Sequence, residues 1–325
     1  MRIFVTGAAS PLGRALVEAL MRRGHAVVGQ VRRLAGVPLL KKMGAEPVVA
    51  DVRRPNDLVK AMDGCQGVFH LARFFDFWSA DESIYDSVNV DGTRHTVGAA
   101  ILAGVPRFVF CSSALAIGQR DGEASTEWTT NPEDSEIALV RSQLAAERFV
   151  QKSRQKGIEV VTVNPSLVVA PRDQGWVGRQ IAGCVAGRIG FASEQPAGWV
   201  WVGDVAAGLV RAFERGKDGE RYILSGETLS PRQFLKRVAR NSGRTAPARL
   251  PARFANAGAM IATALAAPFG LRPRLSRDEA RFAATGFRVD GQHAVQELGL
   301  EYTPMFRYLP GLVRSYQSAE RRFAS

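Results

Sequence analysis

Residues 6–13, TGAASPLG, hold two glycines six positions apart around a Ser-Pro pair, directly after the β-branched run RIFVT. A strand that ends in such a turn and opens a helix presents backbone N–H groups to a pyrophosphate. Gly7 can make the tight turn, and Gly13 lets the helix sit close on the sheet. Ser10 stands where a middle glycine would let backbone approach the phosphates. Ser10 followed by Pro11 is a good cap and first-turn pair, so the helix that begins through Leu12 is sound. The same hydroxyl competes with phosphate for the N–H groups it caps, which lowers affinity without excluding binding.

Three further groups of residues bear on chemistry. The second strand ends VVGQVRR, with no Asp or Glu to grip a ribose 2′-hydroxyl. Arg32 and Arg33 stand there instead and favour a 2′-phosphate, hence NADP(H) over NAD(H). Asp51, after the third strand, is placed to meet an adenine amino group. Ser112 and Ser113 end the apolar run RFVFC. The stretch 136–150, EIALVRSQLAAERFV, has the period of a helix and contains no Tyr, Lys, His or Cys. His70 lies inside an apolar strand and reads as a core histidine, and Tyr85 reads as packing.

The elements that must position these residues alternate. RIFVTG, AVVGQV, EPVVAD, GVFHLA, RFVFCSS and IEVVTVNPS are short apolar runs separated by amphipathic stretches. Such alternation predicts parallel strands joined by helical crossovers, an α/β, Rossmann-type doubly wound sheet. After Pro171 the pattern loosens into Gly-rich sequence, returns to a strand and helix at 199–215, and becomes mainly helical from Leu229. The expected division is a cofactor-binding domain over 1–171 plus 199–228, and a smaller, mainly helical substrate lobe over 172–198 plus 229–325.

A chain of 325 residues, 46% hydrophobic and 23% charged, buries a substantial core, and no tract has the composition of extended disorder. Cys65, Cys111 and Cys184 are widely spaced, which points to reduced thiols of a cytoplasmic protein. The net charge of +12 is unevenly spread: residues 1–229 hold 27 basic and 25 acidic groups, the last 96 residues 16 and 6. No nucleic-acid motif accompanies the basic lobe, so nucleic acid is not an expected partner. The Ala-rich segment 253–275 with its Arg flanks fits a buried helix, a wall for an apolar or lipid-like substrate, or peripheral contact with an anionic membrane.

Seven motifs in order resemble the extended short-chain dehydrogenase/reductase family, most closely its epimerase/dehydratase, dihydroflavonol-reductase-like and hopanoid-associated epimerase-like members. They are TGAASPLG, VFHLAR, NVDGT, VFCSSALAIG, NPSLVVAP, VWVGDVAAGLVRAFERG and GERYILSGE. The resemblance covers nearly the whole chain. It implies a cofactor cleft lined by Gly7, Ser10, Pro11, Leu12, Gly13, Arg32, Arg33 and Asp51. It adds Val52, Leu71, Ala72, Asn89, Ser112, Pro165, Ser166 and Val168, and it makes Ser113 the catalytic hydroxyl that holds a substrate oxygen. A homodimer through the two long helices is also implied.

In that family a YxxxK pair lies on the helix after the serine loop, and its four-residue spacing puts both side chains on one face. Aligning on Ser142 and Glu147 puts Leu139 at the tyrosine and Gln143 at the lysine. Leucine has no proton to give, and glutamine has no charge to stabilise a phenolate. Loss of one proton-transfer group typically costs ~10²- to 10⁴-fold in rate. The expectations are therefore an atypical NADP(H)-binding oxidoreductase or epimerase-like enzyme on an apolar substrate, an inactive cofactor-binding sensor or scaffold, or an ordinary reductase or epimerase. No metal site is expected.

Overall fold

Side chains alternate along each strand, and the alternation builds two cores at once. Strand β1 (Arg2–Thr6) sends Ile3 and Val5 to one face of the sheet and Phe4 to the other. Strand β5 (Arg107–Cys111) does the same with Val109 and Cys111 against Phe108 and Phe110. In this computed structural model the described residues are 1–119, 123–129, 135–249, 260, 263, 271–273 and 275–324.

In chain order the first half comprises β1, α1 (Pro11–Arg22), β2 (Ala26–Val31), α2 (Val37–Lys42), β3 (Glu46–Val49), α3 (Asn56–Ala61) and β4 (Gly67–His70). A π-helical turn over Tyr85–Asp91 leads into α4 (Gly92–Leu102), followed by β5, α5 (Ala138–Ser153), β6 (Glu159–Pro165) and β7 (Leu167–Val169). Then come α6 (Trp176–Val185), β8 (Phe191–Ala192), β9 (Ala197–Trp201), α7 (Val202–Arg215), β10 (Arg221–Leu224), β11 (Glu227–Leu229), α8 (Pro231–Ser242) and β12 (Ala248–Arg249). Helices Arg277–Thr285, Gln292–Leu298 and Met305–Ala324 complete the described chain.

Seven strands form one sheet in the order β10-β6-β5-β4-β1-β2-β3, and every pairing in it is parallel. The order reverses between β1 and β4, so a crevice opens at their carboxyl ends, the place where doubly wound sheets take ligands. Helices α1 and α7 cover one face through Leu16, Val17, Val205 and Leu209. Helices α3, α4 and α5 cover the other through Leu58, Val97 and Val150.

A third apolar cluster joins Leu139 and Leu144 of α5 to Trp176 and Ile181 of α6, Phe234 of α8 and Phe282 of the Arg277–Thr285 helix. The Gly-rich run that reads as loosened sequence forms α6. Its glycines serve close packing: a Cβ on Gly178 would lie 1.9 Å from the Asp173 carbonyl oxygen, and one on Gly183 2.9 Å from Ile189. Most of segment 253–275 lies outside the described residues. Among the described residues no helix is long and apolar enough to cross a membrane, and Cys65, Cys111 and Cys184 are free and buried.

Candidate functional site

Gly7 adopts φ +64°, and a Cβ there would lie 3.2 Å from the backbone nitrogen of Ala72. Gly13 is more constrained still, because its Cβ would sit 2.2 Å from the carbonyl oxygen of Gly7. The two glycines thus form a cradle that side chains would fill, at the mouth of the crevice. Ser10 caps α1, its Oγ accepting from Gly13 N–H at 3.0 Å, and Pro11 follows in the first turn. Gln30, which sequence reasoning missed, braces the turn from β2. Its Oε1 accepts from Gly7 N–H at 2.9 Å and its amide donates to the Ala50 carbonyl. The signal was a lone polar residue within the apolar run AVVGQV.

At the outer rim Arg32 and Arg33 are exposed. Asp51 is held by Arg53, whose Nε and Nη2 donate to its two oxygens at 3.0 and 2.6 Å. That pairing pulls the Asp51 carboxyl down to about 2, with the Arg53 backbone N–H and the Arg32 charge adding to it. Val52 is buried, and its carbonyl accepts from His95 Nδ1 at 3.1 Å.

One chain of hydrogen bonds crosses the crevice floor. Thr6 Oγ1 accepts from the N–H groups of Leu71 and Ala72 at 2.9 and 3.0 Å, which leaves its own hydrogen for His70 Nδ1, 2.9 Å away. Thr93 Oγ1 donates to the Asn89 carbonyl at 2.6 Å and lies 3.0 Å from His70 Nε2. His70 is thereby assigned as the neutral Nε2–H tautomer, and burial pushes it down to about 3. It is a core histidine that joins β1, β4 and α4. Asn89 extends the chain, accepting from Phe74 N–H at 2.7 Å and donating to Ser142 Oγ at 2.9 Å on α5.

Helix α5 carries Leu139, Ser142, Gln143 and Glu147, all buried. Glu147 is buried, pairs with Arg221 at 3.2 Å, and accepts from Asn164 Nδ2 at 2.9 Å. Asn164 Nδ2 also donates to the Ser113 carbonyl at 3.1 Å, so Glu147 acts on the serine loop through Asn164. Ser113 Oγ accepts from Leu115 N–H at 3.3 Å. Leu139 is 0% exposed within the apolar cluster that holds Tyr85 and Leu115, and Gln143 is 1% exposed. Arg141 points away as its helical phase requires, donating to the Ser135 carbonyl at 2.9 Å. Tyr85 is packed as expected, its hydroxyl donating to the Asp76 carbonyl at 3.0 Å.

A cavity of about 390 Å³ lies along the crevice, lined by Ser10, Pro11, Leu12, Leu71, Ser166 and Val168 among the expected residues. Gly7, Gly13, Ala72, Ser112 and Pro165 are not among its lining residues. Ser166 Oγ, on its wall, is buried with no hydrogen-bond partner among the described residues, as are Ser112 Oγ and Gln143 Oε1 elsewhere. Buried polar groups are rarely left so. The glycine cradle, which a Cβ would fill, and the orphaned Ser166 hydroxyl fit a dinucleotide.

The same cavity is lined by residues that sequence reasoning missed: Arg73, Asp76, Asp173, Trp176 and Arg179. Asp76 is buried between Arg179 at 2.6 Å and Arg272 at 2.7 Å. Burial alone would raise its carboxyl, but the two guanidinium groups outweigh it and hold it below the usual range. Arg272 and Trp176 Nε1 also reach Glu279, at 3.5 and 2.6 Å. These partners lie roughly a hundred or more residues from Asp76, so no local spacing announces them. Trp176 also lines a second cavity of about 510 Å³, which includes Glu279 and is walled by Trp199, Leu235 and Phe282.

The model of the NAD dependent epimerase/dehydratase family matches residues 3–225. A Synechocystis protein named "Putative dihydroflavonol 4-reductase" is 33% identical, across 97% of this chain and 94% of its own length. Sterol demethylase protein B of Methylococcus capsulatus is 32% identical over 92% of this chain and 93% of its own. Among solved structures, a nucleoside-diphosphate-sugar epimerase from Pseudomonas aeruginosa superimposes with a TM-score of 0.81, at 24% identity over 98% of both chains, a likeness of fold. The motifs, the seven-stranded sheet and these matches agree, and the chain belongs to the NAD dependent epimerase/dehydratase family of extended short-chain dehydrogenase/reductase proteins.

Proposed function

We propose that this chain holds NADP(H) in the crevice between β1 and β4 and acts as an atypical oxidoreductase on an apolar, lipid-like alcohol or ketone. Residues 1–171 with 199–228 serve as the cofactor part, and 172–198 with 229–325 as the substrate part. The observation that carries this reading is the 510 Å³ cavity of aromatic and aliphatic walls, which shares Trp176 with the cofactor crevice. The names of two relatives refer to a dihydroflavonol and a sterol, which supports a polycyclic apolar substrate. The dinucleotide supplies or accepts the hydride. Gly7 and Gly13 give its phosphates backbone to rest on, Arg32 and Arg33 meet a 2′-phosphate, and Ser112 and Ser166 offer hydroxyls to the nicotinamide end. Ser113 orients the substrate oxygen. With Leu139 in the acid position, the proton exchanged at that oxygen comes from water.

Titration of the purified protein by calorimetry is expected to show NADPH binding at least tenfold tighter than NADH. Arg32→Ala with Arg33→Ala should erase that preference while leaving NADH binding unchanged. Absence of binding to either dinucleotide would sink this reading.

A second reading, a cofactor-binding protein without turnover, is favoured by the sealed position of Leu139. Leu139→Tyr with Gln143→Lys separates the two. The larger side chains enter a packed cluster, so a loss of about 1–3 kcal/mol in urea unfolding is expected. Slow NADPH-dependent reduction of trans-1-decalone should appear with it. Complete inactivity of a folded, NADPH-binding double variant favours the second reading.

A further inference from the structure

We infer that the crevice contains an anion site centred on Arg73, and that the apolar ligand of this protein carries a carboxylate there. The inference rests on the proposed apolar ligand and names its polar end. Arg73 follows β4 and reaches the end of the neighbouring strand β5, where Nη1 donates to the carbonyl of Ser112, one residue before Ser113. Its guanidinium carbon lies 5.0 Å from the centre of the Phe75 ring, which fixes the plane of the group. Phe74, between them, is pinned by Asn89 through both its N–H and its carbonyl, at 2.7 and 3.1 Å. The cation is thus held on a rigid segment.

Every other charged group lining the crevice cavity is committed. Arg179 and Asp76 pair with each other, and Arg272 completes the neutralisation from behind. Asp173 caps α6, accepting from the N–H groups of Gly175 and Gly178 at 2.9 and 3.1 Å. Among the described residues no carboxylate lies within ion-pair distance of Arg73. A guanidinium has five N–H donors in a planar fork, and only one of them is used on Ser112. The remaining donors match the two oxygens of a carboxylate. An apolar frame extending past Trp176 would enter the 510 Å³ cavity, where Trp199, Leu235 and Phe282 would cover it.

The test compares 1-adamantanecarboxylate with 1-adamantanemethanol, two probes of one shape that differ in charge. Binding is measured by ligand-observed NMR on the apoprotein and on the NADP⁺-loaded protein. The acid should bind wild type at least tenfold tighter than the alcohol. Arg73→Met should remove that preference with NADPH affinity within twofold of wild type, and Arg73→Lys should keep part of it. Equal binding of acid and alcohol by wild type overturns the inference, as does a preference retained in Arg73→Met. A parallel loss of NADPH affinity in Arg73→Met also overturns it, by assigning the cation to the cofactor. A protein that binds no dinucleotide defeats the proposed function separately, and the apoprotein measurement then decides for or against Arg73.

Discussion

Gly13→Ala is expected to weaken NADPH binding by at least ~100-fold, about 2.7 kcal/mol in binding free energy. The added methyl would stand 2.2 Å from the Gly7 carbonyl oxygen and 2.7 Å from the Ala8 Cα, both backbone atoms of the turn itself. Relief requires the turn to move outward by about 1 Å, since non-bonded carbon atoms settle at ~3.5–4.0 Å. That displacement carries the phosphate-facing N–H groups with it. Overpacking of this kind also costs about 1–3 kcal/mol of stability, read as a lower urea midpoint. Gly98→Ala is the matched control: nothing lies within 4 Å of its added Cβ, and it sits within α4. There alanine should leave NADPH affinity unchanged and stabilise the helix by up to about 1 kcal/mol. If the two variants bind NADPH alike, the cradle is not the phosphate site.

Acidification from neutral pH should cost stability because of His70. Its folded-state value lies at about 3, while an unfolded histidine titrates near ~6.5. Below that upper value the unfolded chain binds a proton that the native chain refuses, so stability is full above it. It then declines as pH falls toward the folded value. The slope is about 1.4 kcal/mol per pH unit, which gives roughly 2–3 kcal/mol between pH 6.5 and 4.5. His25 is lowered by burial too and acts in the same direction. Asp51 and Asp76, both held low by arginines, lose their contribution only as pH falls into the carboxylate range. The comparison is therefore with His70→Gln, whose urea unfolding should show the shallower slope across this window. Parallel pH profiles in the two proteins would mean that His70 is not held neutral.

The doubly wound sheet was legible in the chain because its signals are local. Apolar runs such as RIFVT and RFVFC fall at strand spacing, and Gly7, Ser10 and Gly13 report a strand, a turn and a capped helix within eight residues. The expectation that Leu139 and Gln143 stand at the tyrosine and lysine positions is local too, since it rests on Ser142 and Glu147 of the same helix. The Gly-rich stretch that became α6 misled because glycine normally weakens a helix, and only the nearness of Asp173 and Ile189 explains its use.

The local order of residues thus determined the strands and the capped turn after β1. Tertiary structure alone decided that Leu139 is sealed from solvent, that Asp76 sits between Arg179 and Arg272, and that Arg73 lies against Ser112. Asp76 and Arg272 are separated by 196 residues and Arg73 and Ser112 by 39. Contacts at such separations leave no period in the chain, because the sheet that joins them must form first.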